Sequence, residues 1–195
     1  MNVQQVIDFA RATELKNLSA QNYDDTTIIA YINLGMMELH RRFNVRVGVE
    51  VIQTVSTIPV YNMRNADIIQ ILSVHNALDE LLAPQAYIGD EDYDIKYINY
   101  NTILLNKAKD EELVIVYKAS SLFIAELTDE VGVPPVLIEA LLSYIGYKAH
   151  GAKDPGAENS PYFNKFNAVC AGIIRDGFGT DDAIPGQSTQ MKGFV

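Results

Sequence analysis

The sequence predicts an α+β fold: a four-helix bundle-like scaffold of two N-terminal and two C-terminal helices, a central, mainly antiparallel β insertion and an extended C-terminal tail. Apolar residues recur at helical spacing at both ends of the chain, whereas they alternate every second residue in its middle. The last stretch, TDDAIPGQSTQMKGFV, has few large apolar residues and many Gly, Pro, Ser and Gln. We therefore expect a single domain over residues 1–178 and a tail over 179–195.

Two helices are predicted in the N-terminal part. The first covers about residues 3–16, where four apolar side chains share one side: Val3, Val6, Ile7 and Ala10. The second covers about residues 25–43, with Asp24 or Asp25 as its N-cap. Its apolar side chains recur at steps of three or four: Ile28, Ile32, Met36, Leu39 and Phe43.

The β region is predicted at about residues 45–118. Four valines alternate with other residues at its start, which indicates a strand with one buried face: Val45, Val47, Val49 and Val51. Short runs rich in β-branched and aromatic residues follow: TIPVYN, DIIQILSV, KYINYNTILL and ELVIVYK. The polar run NKAKDEE, between Leu105 and Leu113, predicts a hairpin turn because consecutive strands usually pair.

Two further helices are predicted after the β region. The third covers about residues 135–150 and begins at Pro134-Pro135, since proline is favoured in the first turn of a helix. The fourth covers about residues 161–176, with Ser160 as cap before Pro161. Its apolar residues precede Gly177 and Gly179, which end the helix: Phe163, Phe166, Val169, Cys170, Ile173 and Ile174.

Composition excludes several classes of protein. Fifteen Lys and Arg against 25 Asp and Glu give a formal charge of −10, which repels nucleic acid phosphates and anionic membranes. The single cysteine, Cys170, excludes an internal disulfide and a cysteine-based metal cluster, and fits a reducing compartment. No apolar run is long enough for a membrane span and the N-terminus lacks the pattern of a secretory signal, so we expect no membrane partner.

Motifs for catalysis and cofactor binding are missing from the sequence. It contains neither the glycine pattern of dinucleotide folds nor that of a P-loop. The three histidines, His40, His75 and His150, lie far apart and none has a metal-binding spacing. We therefore predict a protein that is not an enzyme and holds no cofactor or metal, with a carboxylate hydrolase as a remote alternative.

Two features deserve a chemical interpretation, the acidic run GDEDYD and Cys170. Asp90, Asp92 and Asp94 have the spacing of the first calcium ligands of an EF-hand, but Ile95 and Asn101 stand where that loop needs Gly and Glu. A solvated loop is the favoured interpretation. Cys170 lies on the apolar stripe of the fourth helix, which favours core packing over a role as nucleophile.

The third helix is apolar on nearly every side, and this predicts an interface. If three of its large side chains stayed in water, about 5–9 kcal/mol of burial would be lost, which is comparable with the stability of a domain. We predict that a neighbouring subunit or a portal protein covers the following residues: Leu137, Leu141, Tyr144, Ile145 and Tyr147. A central helix wrapped by its own chain remains the alternative.

Four stretches, in this order, carry a resemblance to a known family: YDDTTIIAYINLGMMELHRRF, VIVYK, VPPVLIEALLSYIGYKAH and SPYFNKFNAVCAGI. The chain resembles, up to about Gly177, the head-to-tail adaptor (connector) proteins of tailed bacteriophages. The proline-led helix followed by a Tyr-Phe helix after a short acidic break weighs most in this resemblance. The long strand region and the tail depart from the family pattern.

The resemblance implies a non-catalytic structural protein at the head-tail junction of the virion, made in the cytoplasm of the bacterial host. It implies a twelve-fold ring that docks on the portal protein, extends the DNA channel without specific DNA binding, and offers a platform to tail or nozzle proteins. The candidate anchor of the C-terminal tail consists of Met191, Phe194 and Val195. A non-viral cytoplasmic homo-oligomeric binding module is the alternative function.

Overall fold

The computed structural model describes residues 1–18, 23–87, 89–151 and 161–178 of the chain. The described residues form four α-helices and six β-strands, and all strand pairs are antiparallel. They belong to two compact units. The helical unit comprises Met1–Val45 and the described part of Ser121–Val195, and the β unit comprises Arg46–Ser120.

The helices all belong to the helical unit: α1 (Val3–Ala12), α2 (Asp25–Arg42), α3 (Ile138–Gly151) and α4 (Pro161–Arg175). A single 3₁₀ turn, Pro135–Leu137, leads into α3, with proline at its first position as the sequence predicts. The predicted cap Ser160 and the predicted stop Gly179 lie outside the described residues.

Side-chain caps set the starts of the first two helices. Asn2 and Gln5 form a capping box, in which each side chain accepts a hydrogen bond from the other residue's backbone N–H at 3.0 Å. At the start of α2, Asp24 Oδ1 accepts from Thr27 N at 2.8 Å, which confirms the predicted aspartate cap. Both caps bond backbone amides that lack a partner within the helix.

In the helical unit, α3 is the central element. It packs against α1, α2 and α4, whereas α4 packs mainly on α3. Gly35 in α2 permits a close approach of α2 to α3, since a Cβ at this position would lie 2.6 Å from Leu141 Cδ1 and 3.1 Å from Tyr144 Cδ1. The hydrophobic core surrounds this contact and includes Ile7, Ile32, Leu39, Ile145 and Phe166.

The β unit contains two three-stranded sheets. The first sheet has the order β1 (Val47–Gln53), β6 (Glu112–Ala119), β3 (Ile68–Asn76). The second has the order β2 (Val60–Asn62), β5 (Thr102–Leu105), β4 (Ile95–Asn99). Both sheets contribute to one core cluster: Met63, Ile68, Ile71, Val74, Ile95, Ile103, Leu105, Leu113, Ile115, Tyr117 and Ala119.

The predicted fold class is wrong in two respects. The helices do not form a four-helix bundle, because the other helices pack around α3 instead of forming a ring of neighbours about a shared axis. The strands are more than an insertion, because they form two sheets around a core of their own. Helical periodicity identifies the apolar side of each helix but not the helix it contacts, which explains the first error.

The predicted hairpin between Leu105 and Leu113 is also wrong. Strands β5 and β6 flank this turn, yet β5 pairs with β2 and β4, whereas β6 pairs with β1 and β3. The chain therefore passes from one sheet to the other here. Consecutive strands pair often but not always, and sequence alone does not identify such a crossover.

We expect Gly35→Ala to destabilise the protein, although alanine is the better helix former. The added methyl group would overlap Leu141, whose side chain is fully buried, so the core has to shift at a cost of about 1–3 kcal/mol. Gly172→Ala is the matched control, because Gly172 is also helical and nothing lies within 4 Å of an added Cβ. Chemical denaturation would measure both; an unchanged or increased stability of Gly35→Ala would contradict this packing.

Candidate interaction surface

The predicted interface residues on α3 lie mostly inside the helical unit. Leu137, Leu141 and Ile145 are fully buried by their own chain, and Tyr144 is 8% exposed. Tyr147 is half-buried. These four residues are therefore already removed from water within one chain, and a neighbouring copy would gain no burial energy by covering them. Their assignment to an interface stays a prediction, since a single chain contains no second subunit.

An aromatic cluster holds α3 between α2 and α4. The ring of Tyr144 packs edge to face against Phe166 at 5.2 Å and against Tyr147 at 5.8 Å, measured between ring centroids. Arg42 lies over the Phe166 ring at 4.6 Å from its centroid and donates to Glu38 at 2.6 Å. Burial, reinforced by the charge of Glu38, raises the pKa of Tyr144 to about 12. Its phenol therefore stays protonated near neutral pH and acts here as packing.

The predicted tail anchor, Met191, Phe194 and Val195, lies outside the described residues. Its role stays a prediction.

A row of exposed valines on β1 is a prominent apolar feature of the β unit. Val47, Val49 and Val51 are 51%, 58% and 55% exposed. The register of β1 with β6 pairs Val49 with Val116 and Val51 with Val114. Val114 and Val116 are half-buried and extend the same surface onto β6. We call these five residues the valine face. Aliphatic surface of this kind, contiguous on one side of a sheet, is typical of protein contact sites.

The opposite side of β1 explains why the valines face outward. Glu50 is only 9% exposed, and its carboxylate accepts hydrogen bonds from Arg64 N at 2.9 Å, Asn65 N at 3.3 Å and Asn65 Nδ2 at 2.9 Å. Gly48 lies against the ring of Tyr117, where a Cβ would come within 2.3 Å of the ring. Gly48 and Glu50 therefore lie on the inner side of the sheet. Because successive residues of a strand point to opposite faces, the valines lie on the outer side.

The alternation in the sequence predicts one buried face for this strand and does not identify the valines as the exposed residues. Hydrophobicity alone places valine inside. The signal for the inverted arrangement is Gly48, a weak strand former that indicates a close approach by another group. The carboxylate of Glu50 gives no such signal, because the backbone donors that satisfy it lie 14 and 15 residues further along the chain.

The second sheet also has an outward apolar side. Val60 is 47% exposed, and the strand register places Val60 and Lys96 directly beside the half-buried Leu104. Ile98, which lies at a register shift of β4, is 51% exposed. We call Val60, Lys96 and Leu104 the second-sheet face. Both sheets contribute to one core cluster, and none of the residues of this face or of the valine face belongs to it, so the two faces are separate surfaces of the β unit.

The helical unit exposes two large side chains on a loop that Asn33 holds in place. Asn33 Nδ2 donates to Ile124 O and Asn33 Oδ1 accepts from Ile124 N, both at 2.9 Å. Just before this clamp, Leu122 and Phe123 are 67% and 82% exposed. A rigidly held exposed aromatic residue is suited to a protein contact.

The acidic run is a local turn structure. Asp90 accepts hydrogen bonds from the backbone N–H groups of Ala86 and Asp92, and Asp94 Oδ2 accepts from Ala83 N.

Cys170 is buried, and burial raises the pKa of its thiol, so the nucleophilic thiolate is disfavoured. In the part of the chain that the structure describes, no group of three or more His, Cys, Asp or Glu side chains is placed to hold a metal ion. None of the described helices is both long and apolar enough to cross a membrane.

The recognisable features of the described residues are their exposed apolar surfaces. The model of the SU10 adaptor protein family matches residues 1–183. The chain therefore belongs to this family, a family of phage head-to-tail adaptors, which confirms the resemblance found in the sequence. A comparison with curated proteins finds no match. Membership implies a structural component of the virion, without enzymatic function, that interacts with portal and tail proteins.

The inverted strand predicts opposite responses at two adjacent residues of β1. We expect Glu50→Val to lower the free energy of unfolding by about 1–3 kcal/mol, because the three hydrogen bonds that the buried Glu50 carboxylate accepts are lost. Val49→Thr should stay within about 0.5 kcal/mol, since an exposed β-branched residue replaces another. Urea denaturation of both variants checks this, and the reverse order of stability would show that the valines are the buried side.

Proposed function

We propose that this protein is the adaptor that docks on the portal at the head-tail junction and assembles there with copies of itself into a twelve-fold ring. Membership of the SU10 adaptor protein family over residues 1–183 carries this proposal. The outward apolar faces of the β unit support it, because burying exposed aliphatic surface against another protein lowers the free energy. The family match favours this role over a non-viral binding module or a carboxylate hydrolase.

The ring would extend the DNA channel of the portal. The formal charge of −10 supports a passive role toward DNA, because acidic surfaces repel phosphates and let the duplex slide. Specific DNA binding would instead need clusters of Lys and Arg. The chain has only 15 Lys and Arg residues in total. The opposite end of the ring would offer a platform to tail or nozzle proteins.

Residues 1–178 would act as the assembly domain and residues 179–195 as the docking tail. Met191, Phe194 and Val195 would supply the apolar anchor of this tail. Tyr147 on α3 is accessible for a contact with a neighbour or the portal, together with Val136 in the 3₁₀ turn before α3, which is 46% exposed. Leu137, Leu141, Tyr144 and Ile145 would support that contact from inside, by keeping α3 in place.

Deletion of residues 180–195 should spare the fold and weaken docking on the portal protein of the same phage. The expected result is an unchanged melting temperature together with at least a tenfold loss of portal binding, measured by co-sedimentation. Replacement of Met191, Phe194 and Val195 by serine in the full-length chain separates the apolar anchor from tail length. A large fall in melting temperature after deletion would instead assign the tail to the core, and wild-type portal binding by both variants would refute its docking role.

A further inference from the structure

We propose that neighbouring copies of this chain pack head to tail through the β unit, with the valine face of one copy against the second-sheet face of the next. This inference deepens the proposed function and rests on the ring described there. It identifies the two surfaces that meet and the charged pair that aligns them.

The arrangement of the two sheets supports this choice. A closed ring uses a heterologous contact, so every subunit needs two different surfaces that match each other. The two sheets of the β unit share one core, and the residues outside that core give each sheet an exposed side of its own. Each outer side carries exposed aliphatic residues, with Val49 58% exposed on one and Val60 47% exposed on the other.

Charge complementarity favours a second copy of this chain as the occupant. Glu112 is exposed at one end of the valine face, where it lies opposite Gln53 and accepts from its Nε2 at 2.9 Å. Lys96 lies within the second-sheet face beside Leu104. Among the described residues, neither Glu112 nor Lys96 takes part in an ion pair. Within the described part of the chain, one face thus carries an acid and the other a base, neither of which has a salt-bridge partner.

The two faces would therefore bury their aliphatic residues against each other and pair Glu112 of one copy with Lys96 of the next. An ion pair at the rim of an interface contributes little affinity but fixes orientation. Apolar burial supplies most of the stabilisation, and a charge introduced into either face opposes it.

Two matched variants test whether the contact is head to tail. Val49→Asp disables the valine face and Val60→Asp disables the second-sheet face, each by the same change at an exposed position. The wild-type full-length chain should form assemblies of more than two subunits at micromolar to submillimolar concentration, and each variant alone should be monomeric in analytical ultracentrifugation. An equimolar mixture should give dimers and nothing larger, because only one intact face of each variant remains to pair.

Leu78→Asp is the control variant, because Leu78 is 78% exposed in the same unit but belongs to neither face. It should assemble like the wild type. Melting temperatures within a few degrees of the wild type would show that all three variants fold. Assembly of Val49→Asp or Val60→Asp alone, a wild-type chain that stays monomeric throughout, or larger assemblies in the mixture would each overturn the proposal.

A charge exchange tests the pairing of Glu112 with Lys96. Glu112→Lys and Lys96→Glu should each weaken assembly roughly fivefold, and the double variant should restore it, since a surface pair contributes up to about 1 kcal/mol. Additive losses in the double variant would refute the pairing.

Portal binding measured on the same preparations separates this proposal from the proposed function. Wild-type binding to the portal together with normal assembly of Val49→Asp would leave the adaptor function intact and remove this interface. A wild-type chain that assembles but does not bind the portal would contradict the adaptor function and leave the interface intact.

Discussion

The close approach of α2 and α3 at Gly35 is the constraint on which the helical unit depends. Because Gly35 has no side chain, Leu141 and Tyr144 reach the backbone of α2, and α3 can lie in the middle of the unit. From that position it is covered on several sides by α1, α2 and α4. Much of its apolar character is then a requirement of the fold, because the sides of α3 that face α1, α2 and α4 are buried, whereas Glu139 of the same helix is exposed.

A buried carboxylate has the corresponding role in the β unit. Glu50 is satisfied only on the inner side of the first sheet, where the backbone of Arg64 and Asn65 supplies its donors. A carboxylate without those donors would be costly to bury, so the alternation of the strand turns Val47, Val49 and Val51 outward. The exposed aliphatic surface of this unit therefore follows from a polar interaction on its opposite side.

Both units fit a protein that acts through contacts. Among the described residues, the cysteine, His150 and the acidic run have structural contacts, whereas the sheet faces and the loop at Phe123 expose apolar side chains. Rigid elements present these surfaces, which suits a component that joins others in an assembly. Membership of the SU10 adaptor protein family agrees with that chemistry.

The sequence by itself determined the order and type of the elements, the aspartate cap of α2, the proline start before α3 and the family, because these depend on spacing and on residues near one another in the chain. Only the tertiary structure decided what each apolar face contacts. Periodicity marks a face without naming its partner, so the central position of α3 and the crossover from β5 to β6 were not predictable from it. The outward valines were decided by Glu50, whose hydrogen-bond donors come from a distant turn that only folding brings close.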